Sequence, residues 1–510
     1  MSMNRRHFTT HRVATPLPPG HARRVRVRVR VAVAAVAAGL LAGCGTHHSD
    51  DNWKLPNGDL AGTRGAAGSA IDAGNVARLE VRWRFALTAA PTFSGVFAST
   101  PVADRETVYV QDLRSNVYAL HRSDGTPRWT HRYRASNDGP NGLAVDDGRV
   151  YGAMDSDAFA LAAPTGRELW RRHLTSAREQ FVDVPPVVWN GIVFVSTVGY
   201  APFGRGAIYA LDAATGAVRW KFVTIEEPWR YPLEAGGGGL WYPVSVDADG
   251  RLYAGNSNPS PWGGSPERPN GGAFPGPALY TDSLLMLDAR TGRLLWYDQV
   301  TPHDVRDYDF QATPILATVG GSDLVFGAGK AGRVIAWDRG TRRRRWTAKV
   351  GMHRNDLGPL PKHRVTVCHG LLGGVETPMA YADGRLFVPV VDLCGWGSAT
   401  SRQQLTTVDP SRGRGRLVAL DAATGRILWD RRQPAPDFGC ATVSNDLVFT
   451  STVDGSLYAY ATSDGNLVWH ERMRAGVNAC PAVVGDLVLF GAGIKRPEGA
   501  TPAIVAFGPR

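Results

Sequence analysis

The sequence predicts an all-β chain folded as an eight-bladed β-propeller, on three observations. Eight tryptophans, Trp83, Trp129, Trp170, Trp220, Trp296, Trp346, Trp429 and Trp469, close variants of one A-x-D-x-x-T-G-x-x-x-W segment at spacings of about 40 to 50 residues, with two longer gaps. An apolar, β-branched run precedes each motif. The chain also ends on strands with no tryptophan strand after them, and its repeats begin with a tryptophan strand that nothing precedes. Self-similarity at this period marks an architecture whose unit is one small sheet, unable to bury its faces alone.

The amino terminus comes first. Residues 1–43 hold eight arginines and no acid, and Val31–Leu41 is an apolar stretch of eleven residues. That combination reads as a secretory signal peptide, too short to span a bilayer as a mature helix. Leu41-Ala42-Gly43-Cys44 resembles the lipobox of bacterial lipoproteins, which implies cleavage before Cys44, lipidation of its thiol and an extracytoplasmic, membrane-anchored product. Arg5-Arg6-His7-Phe8 looks like part of a twin-arginine signal, so the export route stays open. Residues 44–52 read as a lipidated tether, and 53–510 as the propeller.

Removing the eight signal arginines from the net charge of +11 leaves about +3, so the basic balance gives no argument for nucleic acid.

The repeats follow. Thr107–Val110, Ile192–Val195, Leu252–Ala254, Leu324–Phe326, Leu447–Phe449 and Leu487–Phe490 read as strands. After each comes a second strand, then a turn and the tryptophan strand, with Asp and Gly as turn chemistry and the indole as filler between sheets. Cys480–Arg510 supplies VVGDLVLFGAG and AIVAFG, and Leu79–Leu87 supplies the missing tryptophan strand, so the two ends form one blade and hide both edges.

Four further cysteines, Cys368, Cys394, Cys440 and Cys480, make an even number, as disulfides in an exported protein would. Cys368 and Cys394 bracket one apolar strand. Cys440 and Cys480 precede inner strands of consecutive blades, a geometry that allows a bridge between them. No C-x-x-C-H is present, which excludes covalent c-type haem.

The long gaps, Trp220 to Trp296 and Trp346 to Trp429, are insertions of the kind that build binding faces. The first holds Gly236-Gly237-Gly238-Gly239-Leu240-Trp241 and Gly255-Asn256-Ser257-Asn258-Pro259, and just beyond it runs Thr301-Pro302-His303-Asp304-Val305-Arg306-Asp307-Tyr308-Asp309. Asp307 and Asp309 alternate in what reads as an extended segment, so both face one side, where a cation or proton must relieve them. The Asn258 carbonyl suits the same hard cation, Ca²⁺ or a lanthanide. The competing reading is plain turn chemistry, in which both aspartates make local turn hydrogen bonds.

These segments, with Asn57-Gly58-Asp59-Leu60-Ala61-Gly62-Thr63-Arg64, GKAGRVIAWDR and CHGLLGGVE, resemble the quinoprotein alcohol dehydrogenases, eight-bladed propellers carrying pyrroloquinoline quinone (PQQ) and a metal ion. The resemblance runs from Asn52 to the carboxyl terminus. It implies that Asp307 is the catalytic base and a metal neighbour, that Asn258 and Asp309 are metal ligands, that Trp241 stacks on the quinone and that Lys330 faces its oxygen. It also implies a structural Cys368–Cys394 disulfide. Three family positions depart: a metal-binding Glu falls near Ala201 or Pro202, a quinone-contacting Glu near Ala98 and an Arg near Asn141. The family's adjacent Cys-Cys pair is absent as well.

Two functions follow. One is an anchored dehydrogenase that oxidises an alcohol or sugar with PQQ and passes electrons to an external acceptor or another protein. The other is a non-catalytic binding or assembly scaffold, akin to the outer-membrane-assembly propeller lipoproteins.

Overall fold

The computed structural model describes residues 51–510 apart from 89–93, 136, 138, 176–179, 183, 201–203, 226–230, 232, 275, 401–411 and 495–500. The expectations for the signal peptide, the tether up to residue 50, Cys44, Ala201 and Pro202 lie outside the described residues. Eight antiparallel sheets of four strands form the body, each an up-and-down meander, and two of them accept a short extra strand. Blade 1 begins at Val102–Ala103 and ends at the Trp129 strand, Pro127–His131. Blades 2 to 7 end on the strands of Trp170, Trp220, Trp296, Trp346, Trp429 and Trp469.

Blade 8 is the predicted closure. Ala482–Val484, Leu487–Ala492 and Ala503–Pro509 are completed by Leu79–Ala86 from the other end of the chain, paired antiparallel with Val81 opposite Phe507. The six expected strand cores all lie in strands, for example Thr107–Gln111 and Ile192–Gly199.

One irregularity recurs in all eight blades. The register shifts at the residue just before each tryptophan, as between Glu168 and Trp170 or Val81 and Trp83. Such a bulge bends the outer strand and re-aims the side chain that follows it. The residue opposite is a small Ala, except Met286 in blade 4, which leaves room for the indole.

The indole then spans the gap to the next blade. In six cases its N–H donates to a turn carbonyl of the following blade, such as Trp83 to Arg122 at 2.8 Å and Trp170 to Ala213 at 3.0 Å. Its ring lies on the turn glycine of that same blade: a Cβ on Gly216, whose φ is +70°, would sit 2.6 Å from Trp170. Gly serves here twice over, for its left-handed backbone and for the missing side chain. The turn aspartate is local, as expected; Asp212 accepts from the Ala214 and Thr215 backbones.

The ring is fastened near its closure by Arg64. Its guanidinium, wholly buried, donates to the Ala441, Pro56 and Pro481 carbonyls, Asn57 Oδ1 and Thr442 Oγ1 at 2.7–2.9 Å. Burial pulls its pKa down to about 9. Cys440 bonds to Cys480 beside those acceptors, linking blades 7 and 8, and Cys368 bonds to Cys394.

The two insertions contribute two small ribbons. Gly236–Gly237 pairs with Pro259–Ser260, and Val365–Val367 with Gly395–Gly397.

Candidate active site

The first ribbon positions Asn258. Gly238 N donates to Asn258 O and Ser257 N to Gly239 O, both at 2.9 Å. The approach is so close that a Cβ on Gly239 would fall 2.1 Å from the Thr197 carbonyl. Asn258, thus fixed, makes two contacts fifty residues away: its backbone N–H donates to Asp309 Oδ1 at 2.8 Å and its Nδ2 to Asp307 Oδ1 at 2.6 Å.

Asp307 and Asp309 do face one side, but not through an extended strand. Asp307 has φ of +63°, in the left-handed region. The cause is Asp304, whose carboxylate accepts from the Arg306 and Tyr308 backbone N–H groups at 2.8 and 2.6 Å and folds the chain into a turn. Tyr308 then anchors the turn by donating its hydroxyl to His369 O at 3.2 Å, next to the Cys368 disulfide. The local turn bonds belong to Asp304, which sequence reasoning passed over; Asp307 and Asp309 are left to reach distant partners.

Their shared partner is Lys330. Its Nζ lies 2.8 Å from Asp307 Oδ2 and 2.6 Å from Asp309 Oδ2, with both carboxylates and the ammonium buried. Burial pushes the Lys330 ammonium toward neutrality, yet Asp307, Asp309 and Glu376 outweigh it and hold the pKa well above the usual lysine range. Burial lifts Asp307 to about 6, with Asp309 adding to the rise and Lys330 opposing it. Burial likewise lifts Asp304 to about 7, against its two N–H donors.

Two more carboxyls surround this group, and neither was singled out from the sequence. Asp282 is fully buried with both oxygens unpartnered, and burial raises it well above the carboxylate range. Glu376 accepts from Gln311 and is lifted to about 8, again chiefly by burial.

The structure therefore brings together Asn258, Asp307, Asp309 and Lys330. Trp241 sits on the continuation of the Gly236–Gly239 segment, half-buried, with its ring edge-on to Tyr200 at 6.2 Å. At the departing family positions, Ala98 and Asn141 are buried; Asn141 Nδ2 donates to Asp112 O, and its Oδ1 is unpartnered.

The residue types suit a planar, oxygen-rich ligand such as PQQ: Trp241 is a half-buried indole that can stack, Lys330 is a buried ammonium, and Glu376 Oε1 is a buried polar atom without a partner. A metal ion fits less well. Among the described residues no three His, Cys, Asp or Glu side chains gather into a metal-holding group. The Lys330 ammonium already lies where Asp307 and Asp309 would draw a cation, and no acid stands at residues 201–202 to add a ligand.

Residues 67–228 and 364–499 match the PQQ-repeat family described as outer membrane protein assembly factor BamB, and residues 173–341 match the one described as glucose/ethanol/alcohol dehydrogenase, beta-propeller domain. A quinohemoprotein alcohol dehydrogenase from Comamonas testosteroni is 27% identical over 80% of this chain and 67% of its own. Another, ADH IIB from Pseudomonas putida, is 30% identical over 55% of this chain and 44% of its own. The chain thus spans only part of the length of these relatives. A europium-containing methanol dehydrogenase shares the fold, with a TM-score of 0.78 at 20% identity over 91% of this chain and 99% of that one. Eight closed blades and family matches over more than half the sequence lead to one assignment: the chain belongs to the PQQ-repeat propellers, as a quinoprotein alcohol dehydrogenase-like member.

Proposed function

We propose that the protein is an extracytoplasmic quinoprotein dehydrogenase, anchored to the membrane through lipidated Cys44, that oxidises an alcohol or sugar. One observation carries the reading: Asp307 and Asp309 are held by Asn258 and Lys330 from distant parts of the chain, and not by local turn bonds. Paired buried carboxylates on one ammonium are costly to assemble and serve no turn, which fits a site shaped for chemistry.

PQQ, when bound, supplies the two-electron acceptor. The residues do the rest. Burial makes the Asp307 carboxylate a stronger base than an exposed one, suited to taking the substrate hydroxyl proton. Asn258 and Lys330 orient its two oxygens, and Asp304 fixes the turn that presents it. Trp241 and Lys330 would hold the quinone. Electrons then leave to a partner protein or other external acceptor.

The missing acid at residues 201–202 favours the second reading, a non-catalytic scaffold lipoprotein on the same blades. Titration of the purified protein with PQQ, with and without Ca²⁺ or a lanthanide, followed by dye reduction with short alcohols and sugars, separates the two. Turnover that disappears in Asp307→Ala supports the dehydrogenase; no binding at micromolar PQQ leaves the scaffold.

A further inference from the structure

Glu376 lies at a repeat-equivalent position to Trp241. Blade 4 reaches its inner strand through Trp241-Tyr242-Pro243, with the strand opening at Ser245; blade 6 does so through Glu376-Thr377-Pro378, with the strand opening at Ala380. Blades of a propeller surround a central channel, and both residues lie four positions ahead of the first strand of their blade. Blade 5 separates the two in the order of blades, so any mutual influence of their leading segments reports closeness across the ring. Such an influence exists: after burial, the Glu376 charge is the foremost influence raising the Tyr242 phenol. The Glu376 backbone also runs beside Lys330, with Val375 N donating to Gly329 O at 3.1 Å.

The side chain is built for one free contact. Gln311 Nε2 donates to the Glu376 carbonyl at 2.7 Å and to its Oε2 at 2.8 Å, which fixes the carboxyl plane. Oε1 has no partner, although the residue is only 6% exposed. A buried polar atom left in that state is destabilising, and a ligand that pairs with it recovers the loss.

We propose that Glu376 is a ligand-contacting residue of the axial site, donating a hydrogen bond from Oε1 to a carbonyl or carboxylate oxygen of the bound quinone, beside the Lys330 ammonium. This rests on the dehydrogenase reading. Donation requires the acid form, and burial supplies it: against Lys330 and Gln311, and with Asp309 and Asp307 nearby, Glu376 is lifted to about 8 and is neutral at pH 7. Oε2 accepts from Gln311, so Oε1 carries the proton.

The test is equilibrium binding of PQQ to the full chain, read by quenching of tryptophan fluorescence, with thermal melts of each variant as the folding control. Glu376→Gln keeps a neutral donor and is expected to bind within about threefold of wild type. Glu376→Met keeps the bulk without the donor and is expected to bind roughly tenfold more weakly, the equivalent of one hydrogen bond. Glu376→Asp, which withdraws the acid by one methylene, is expected to weaken binding similarly and stands in if the Met variant misfolds. Met and Asp variants that bind like wild type, or a Gln variant as weak as Met, overturn the role of Glu376 and leave the dehydrogenase reading intact. Wild type that fails to bind micromolar PQQ overturns both.

Discussion

Replacing Gly216 with alanine isolates the force that joins one blade to the next. Gly216 has φ of +70°, and a Cβ there would meet the Trp170 ring at 2.6 Å, well inside contact distance. Gly148 has φ of +69° but nothing within 4 Å of its virtual Cβ. The backbone penalty is therefore common to both positions, about 1–2 kcal/mol for a left-handed alanine. Only Gly216→Ala must also push back an indole, at roughly 1–3 kcal/mol for overpacking, and strain the Trp170 bond to Ala213, at about 1 kcal/mol. The expected destabilisation is about 1–2 kcal/mol for Gly148→Ala and about 3–6 kcal/mol for Gly216→Ala, read from urea unfolding followed by tryptophan fluorescence. Equal losses, within about 0.5 kcal/mol, would refute the idea that the indole on glycine holds the blades together. Blade 5 supplies a natural counterpart: its turn carries Arg342 at φ +62° where blades 1 to 4, 6 and 7 have glycine, so Arg342→Gly should relieve that strain and raise stability by up to about 1 kcal/mol, less whatever its bond to Leu295 contributes.

Three further outcomes follow. Burial lifts Asp437 from 3.8 to about 7; the folded state then holds a proton that the unfolded chain has released, so stability falls as pH rises from about 4 to about 7, by at most about 4 kcal/mol. Asp437→Asn should therefore be more stable than wild type at pH 8 and no better at pH 4, as melting curves at the two pH values would tell. Arg64→Leu removes five buried hydrogen bonds and should cost roughly 3–5 kcal/mol, seen as a lowered urea midpoint. Lys330→Met strips the counter-charge from Asp307 and Asp309 and should lose a similar amount at pH 8 but less at pH 5, where Asp307, already raised by burial, takes up a proton.

The blades were legible because their signal is written eight times: a strand misread in one repeat is corrected by the others, and the unpaired tryptophan strand at Trp83 announced the closure. The partner of each indole was not legible. Trp170 and Gly216 stand forty-six residues apart, and nothing in the spacing says that the ring of one blade lies on the turn of the next. In the site, residue types gave Asn258, Asp307 and Asp309, because acids and amides are densest there, and the family resemblance gave Lys330. The backbone that presents them was misread: Asp304 takes the turn bonds, and Asp307 adopts a left-handed conformation in place of an extended one. Glu376 was missed because it sits inside an otherwise apolar stretch, where only alignment of one blade on another reveals its position.

The seam in blade 8 has a consequence for how the molecule comes into being. Val81 cannot meet Phe507 until all seven intervening blades have been synthesised, so the strand that opens the circle waits for the one that closes it. Contacts of such sequence separation slow folding, and they leave Leu79–Ala86 without its partner in every chain that has not yet reached Ala503–Pro509. A stack of repeats open at both ends tolerates loss of a terminal unit with graded effect, whereas a closed ring has no terminal unit to lose. Deleting Ala503–Pro509 would remove one strand in thirty-two from the blades but break the circle, and the product would resemble a nascent chain more than a shortened protein.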